Sequence, residues 1–211
     1  MTILDKDKKQ PQLASEQAPG LRFALLVSEI LNPLFVGLPT LLLIALHTAP
    51  NLGLGLLWWA ITTGGVCAAP FWFIRRGVRS GDFSDHHVSI RQQRFLPLLF
   101  SIGCTVATLI VLLLLHASTT LLATLVSVLI SGILTLGITR YWKISLHQVG
   151  IAGSVTVLSL VFGPRCLLLS PLIALVGWAR WRVKAHTMLQ VLAGTVLAML
   201  VTIGLFRLFG L

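Results

Sequence analysis

"ARWRVKAHTMLQVLAG", residues 179–194, sets three cations and a histidine (Arg180, Arg182, Lys184 and His186) between two apolar runs. A charged side chain at the centre of a bilayer costs about 2.5–3.5 kcal/mol on insertion scales, so such a break marks a membrane surface rather than an interior. The same alternation governs the rest of the chain. Its 211 residues are 56% hydrophobic and 10% charged, with a mean hydropathy of +0.93. A soluble domain has no use for that much apolar surface, whereas several bilayer spans do. Each span needs roughly 20 apolar residues.

Seven apolar segments are legible, at about 23–46, 53–74, 95–115, 119–139, 146–163, 166–179 and 187–209. The sixth is short and can pair with the fifth as a tight hairpin, so the expected fold is an all-α transmembrane bundle of six or seven spans. Residues 1–21, with Lys6, Lys8, Lys9, Pro11 and Pro19, read as a polar, disordered tail ahead of a single membrane domain, 22–211. The tail lacks the apolar stretch and small-residue cleavage site of a signal peptide, so the first span is expected to be retained.

The net charge of +10 follows the membrane topology. When span ends are assigned alternately to two sides, only Arg165 and Arg207 among the sixteen Lys and Arg fall opposite the rest. Cytoplasmic loops carry such an excess, so the basic side is expected to face the cytoplasm of a bacterial cell membrane. Nucleic acid is not an expected partner, because there is no soluble basic domain, aromatic-interleaved basic stripe or zinc-finger spacing. Cys67, Cys104 and Cys166 lie in or beside apolar segments at spacings that fit neither zinc nor a disulfide framework, and read as small buried hydrophobes. Oligomeric state is not legible.

Polar chemistry collects in three stretches: "RRGVRSGDFSDHHVSIRQQRFLP" (75–97), "RYWKISLHQVGIAG" (140–153) and the opening stretch. Two spans separate each from the next, and an even number of crossings returns the chain to the same side. All three can therefore meet at one surface. His147 and His186 each begin an apolar helix, where free N–H groups and the helix dipole suit an anion. Arginine forks match phosphate oxygens, so these clusters together suit a phosphate-sized ligand.

The third stretch resembles the last signature of the type-2 phosphatidic acid phosphatase superfamily: Ser-Arg, five residues, His, three residues, Asp. Here the pattern is Ala179-Arg180, five residues, His186, three residues, Gln190. The family's Pro-Ser-Gly-His is similar to Ile144-Ser145-Leu146-His147, and its Lys, six residues, Arg-Pro to His87, six residues, Arg94-Phe95. The resemblance covers residues 87–190. It implies a metal-independent, cofactor-free membrane phosphatase acting on a lipid phosphate or an isoprenyl mono- or diphosphate. His186 would be the nucleophile that forms a phosphohistidine, and His147 the acid that protonates the leaving oxygen. Arg94 and Arg180 would hold the equatorial oxygens, with Ser145, Arg91, His87 and Lys143 as further donors, Lys143 replacing the family lysine. Gln190, in place of aspartate, would orient His186.

Outside the tail the acidic residues are Glu29, Asp82 and Asp85. They are too few for two-metal phosphoryl transfer, which wants more oxygen ligands. Asp82 and Asp85 form a DxxD that resembles the first magnesium motif of intramembrane prenyltransferases, an alternative that lacks its second aspartate-rich loop. Otherwise they balance loop arginines or orient a site residue. Glu29, an ionisable group inside a span beside Asn32-Pro33, is expected to line the lipid's way in. A non-catalytic lipid-binding or scaffold protein is the other alternative.

Overall fold

The computed structural model describes residues 19–86, 88 and 90–211. Most of the expected polar tail, and His87, lie outside the described residues. The first helix, α1, runs over Pro19–Ile30, beginning four residues earlier than the apolar pattern placed it, and α2 covers Pro33–Thr48. The two are bent by 42° at a break, as Asn32-Pro33 demands. Proline has no N–H to continue the ladder, and Asn32 Oδ1 accepts the Phe35 N–H to start α2 afresh.

The remaining helices are α3 (Leu52–Ser80), α4 (Phe95–Leu114), α5 (Thr119–Tyr141), α6 (Leu146–Phe162), α7 (Ser170–Arg182) and α8 (Met188–Leu208). There is no strand among the described residues. Side chains cap the starts: Asn51 on α3, Ser118 on α5, Ser145 on α6 and Thr187 on α8. α3 contains a π turn at Gly64–Ala68, just ahead of Pro70, whose missing N–H disrupts the regular ladder. It ends at Gly81, left-handed at φ +86°. Arg75, Arg76 and Arg79 therefore ride on the last turns of α3 rather than in the loop that follows.

Leu52–Ser80, Arg91–Leu114, Thr119–Tyr141 and Met188–Leu208 are each long and apolar enough to cross a membrane, and α1 with α2 adds a fifth crossing if the bent pair is one span. α6 is apolar but shorter, at 17 residues, and α7 has 13. The apolar stretch 166–179 is not one helix. Gly163, at φ +92°, stops α6, and Pro164–Leu169 forms a 3-10 turn before Ser170-Pro171 opens α7.

α6 packs along α8, α2 along both α3 and α6, α4 along α5, and α1 against α7. Buried Ile44, Trp58, Leu112, Leu121 and Phe206 form a dense apolar core at the end of the bundle away from the 142–145 loop. Many serines and threonines inside the apolar helices donate to the carbonyl four residues back, as Thr62, Thr105 and Thr156 do, while the hydroxyls of Ser28, Thr63, Thr135 and Thr139 are buried without a partner.

The other end is tied by backbone acceptors. Arg91 Nη1 donates to the Arg140 carbonyl at 3.0 Å, and Arg94 Nη1 to that of Ile144 at 3.1 Å. The Ser145 N–H reaches the Gln190 carbonyl at 3.4 Å. α8 comes this close to α6 because residue 194 is glycine: a Cβ there would meet the Ser145 carbonyl oxygen at 2.9 Å and Gln148 Cβ at 3.2 Å. Gly194→Ala is therefore expected to destabilise the protein by about 1–3 kcal/mol through overpacking. Gly204→Ala, with nothing within 4 Å of the added carbon, should be neutral or stabilising by up to about 1 kcal/mol. Thermal unfolding of the two variants in detergent checks the contrast.

Candidate functional site

The three polar stretches converge where α1, α4, α6, α7 and α8 meet. Arg94, His147, Arg180 and His186 line one cavity of about 640 Å³, and none of the four is more than 6% exposed. Buried cations are costly unless something negative faces them, so their burial around a common space is itself informative.

His186 is placed by the turn after α7. The Arg180 carbonyl accepts the N–H groups of both Ala185 and His186, at 3.1 and 3.2 Å. Lys184 takes a left-handed conformation, φ 55°, to let the chain double back. The five residues between Arg180 and His186 thus form a closed turn, which sets both side chains on the same cavity. His186 then precedes the Thr187 cap of α8.

Gln190 sits one helical turn along α8. Its Oε1 accepts the Thr187 backbone N–H at 3.1 Å and lies 3.2 Å from His186 Nδ1. The backbone donor requires that this amide atom be oxygen, so the imidazole must supply the proton: Nδ1 carries hydrogen, and Nε2 carries the lone pair. Nε2 is buried without a hydrogen-bond partner, as is Nε of Arg180. An unshared imidazole nitrogen and an unused guanidinium donor thus belong to two side chains that line one cavity.

Burial first, and then the charges of Arg94, Arg180 and Lys143, push His186 down to about 3; the Gln190 hydrogen bond acts the other way and is outweighed. The imidazole is neutral at any ordinary pH. Lys143, in the turn between α5 and α6, is lowered by partial burial and then by the same arginines. Arg94 is held by the carbonyls of Val88 (2.8 Å, from Nε) and Ile144. Val88 is buried with φ 46°, a conformation that strains a β-branched residue and aims its carbonyl at the guanidinium.

His147 Nε2 lies 3.2 Å from the Ser28 carbonyl, so that nitrogen carries the proton. The contact joins α6 to the last turn of α1. Glu29, the next residue, lines the cavity on the α1 side. With Asp85 it is one of the acidic groups interacting electrostatically with Arg180, and Asp85 also acts on Arg94 and Lys143.

Other sequence candidates stand apart. Ser145 is fully buried, caps α6 through its hydroxyl (Gln148 N–H, 3.4 Å) and does not line the cavity. Arg91 and Lys143 are likewise outside its wall, Arg91 serving as a tie to α5. Asp82 accepts from the Ser80 hydroxyl on an exposed turn, and Asp85 from Ser84. Neither carboxylate lines the cavity. His86 does line it, and spacing alone passed it over for His87 because the six-residue interval to Arg94 counts from the later histidine. Among the described residues no three His, Cys, Asp or Glu side chains are grouped so as to hold a metal. Comparison with family models, with characterised proteins and with solved structures finds no match to this chain.

The depressed basicity of His186 has a stability consequence. Below its ordinary value of 6.5 the unfolded chain takes up a proton that the folded protein refuses until about pH 3. Acid therefore favours the unfolded state across that window, and stability falls as the pH drops through it. His186→Gln should flatten the decline. Melting temperatures of both proteins between pH 7 and pH 4 provide the check, and parallel curves would contradict the burial of a neutral imidazole.

Proposed function

We propose that this protein is an integral membrane phosphatase of lipid phosphates, a divergent member of the type-2 phosphatidic acid phosphatase superfamily, working through a phosphohistidine. The observation that carries the reading is the pair of buried, unpartnered nitrogens, His186 Nε2 and Arg180 Nε, in a cavity shared with Arg94 and His147. A phosphate group supplies what each lacks: anionic oxygens for the guanidinium and an electrophilic phosphorus for the lone pair.

In the first half of the reaction, His186 Nε2 attacks phosphorus and the bond to the lipid oxygen breaks. His147, as the imidazolium, gives its Nε2 proton to that oxygen in place of the long contact to Ser28 and is left as the neutral imidazole. Arg94 and Arg180 hold the equatorial oxygens throughout. In the second half, His147 takes a proton from water, the water oxygen attacks the phosphohistidine, and phosphate leaves with His186 regenerated. Gln190 keeps the Nδ1 proton in place, so that Nε2 remains the attacking atom. Lys143 adds positive potential at the mouth. The seven helical segments, with α1 and α2 as one, form six or seven spans. Charge bias puts the site on the cytoplasmic side, with phosphatidate-type lipids or isoprenyl phosphates as substrates.

His186→Ala should reduce phosphate release from a lipid-phosphate panel to background and abolish a trappable labelled phosphoenzyme. His147→Ala should cost about 10²–10⁴-fold in turnover. Vanadate should inhibit and EDTA should not. Gln190→Asp should keep activity with its acidic limb moved to higher pH, because a carboxylate beside the imidazole raises its pKa. Full turnover in His186→Ala would remove the assignment. For sidedness, Ser80→Cys and Asn51→Cys, in a background without native cysteines, should react with an impermeant reagent from opposite sides, Ser80→Cys only after the membrane is opened.

A further inference from the structure

The cavity does not end at the charged groups. It continues from them into the interior between α2, α3, α5 and α6, walled by Leu41, Val66, Ser127, Ser131, Gly153 and Val157. Along α5 its lining runs from Thr135, nearer the site, down to Thr124. Eleven residues of helix span about 16 Å. On α6 the lining extends from His147 to Val157, about 15 Å by the same rise. Both lengths match half of a hydrocarbon core about 30 Å thick, which is one leaflet.

The wall is largely apolar, and several of its hydroxyls are turned to the backbone, whereas Thr135 Oγ1, nearer the site, is buried without a partner. Thr124 and Ser127 turn their hydroxyl protons to the carbonyls of Thr120 and Ala123, at 2.8 Å each. Thr40 does the same toward Val36. Gly37, Gly132, Gly150 and Gly153 also line it, and Gly150 lets α6 approach α2 closely, since a Cβ there would meet Pro33 Cβ at 3.1 Å. The floor is the dense core around Ile44, Leu121 and Phe206. Cationic donors at one end and a mainly apolar extension, or shaft, at the other are complementary to an amphiphile with an anionic head.

We propose that the shaft receives the hydrocarbon tail of the substrate, and that Ser127 and Ser131 on α5 gauge its length. The occupant is a lipid phosphate whose chain is drawn into the protein rather than left in the bilayer while the head docks. This rests on the phosphatase reading for the identity of the head, but not for the existence of the tail site. Leucine at either position would fill the shaft at a set depth. Ser131 lies one turn nearer the site than Ser127, a difference of about 6 Å, so the two substitutions should impose different limits.

The test is binding of octyl, dodecyl and hexadecyl phosphate, read as thermal stabilisation of wild type, Ser127→Leu and Ser131→Leu in one detergent. Comparing variant with wild type at each length cancels the partitioning of the probe into micelles. Octyl phosphate should stabilise all three alike, which also shows that the variants are folded. Hexadecyl phosphate should bind Ser127→Leu about tenfold more weakly than wild type, the scale of forcing methylenes into a filled space. Ser131→Leu should lose dodecyl phosphate as well. Geranylgeranyl phosphate run alongside distinguishes an isoprenyl from a linear tail, the larger shift naming the source. Equal responses of the three proteins at every length would overturn the proposal. A graded loss in a protein that releases no phosphate would uphold the tail shaft and remove the hydrolase.

Discussion

Two guanidinium groups buried in one cavity repel each other, and the architecture at this end of the bundle answers that repulsion. Arg94 is gripped by two carbonyls, one of them from a residue forced into a left-handed conformation. Arg180 lies at the end of α7, where the dipole of the helix favours a cation and where its own carbonyl closes the turn to His186. Glu29 and Asp85 offset part of the charge. What remains is a positive potential in a low-dielectric space, which attracts an anion and adds to burial in keeping the His186 imidazole unprotonated. One electrostatic arrangement thereby favours an anion in the cavity and a neutral imidazole beside it.

The Gln190 amide belongs to the same logic. A carboxylate at that position would anchor Nδ1 equally well, but would also raise the affinity of His186 for a second proton. The amide fixes the tautomer with no such effect. It doubles as half of a capping box, so the residue that orients the His186 imidazole is also one that starts α8.

Much of this was legible in the sequence because it depends on local chemistry. Parity of the apolar segments placed three polar stretches at one end, and the hydrogen bonds from Arg91, Arg94 and Ser145 join those stretches directly. The break in the first segment falls at Asn32-Pro33, where proline cannot continue a helix, and the spacing from His186 to Gln190 announced their contact. Periodicity could not resolve the segment at 166–179, where a glycine and two prolines split an apolar run into a 3-10 turn and a short helix. Nor could it separate Ser145 as a helix cap from Ser145 as a ligand donor, since both uses need a hydroxyl ahead of an apolar helix. His86 and the Ser28 carbonyl escaped for another reason. They depend on how a loop and a helix end pack in three dimensions, and neither belongs to a periodic pattern.

The pairing of α1 with α7 bears on how the chain assembles. The Ser28 carbonyl that positions His147 belongs to a helix whose main partner is made some 150 residues later. Until residue 182 has emerged, α1 has little to pack against, and its buried Ala24 and Val27 remain uncovered. Contacts so distant along the chain form late, because loop closure must precede them. During synthesis the first helix therefore waits as a loose strut, and the chain loses most of its freedom at this end only when its last third folds back to enclose the first.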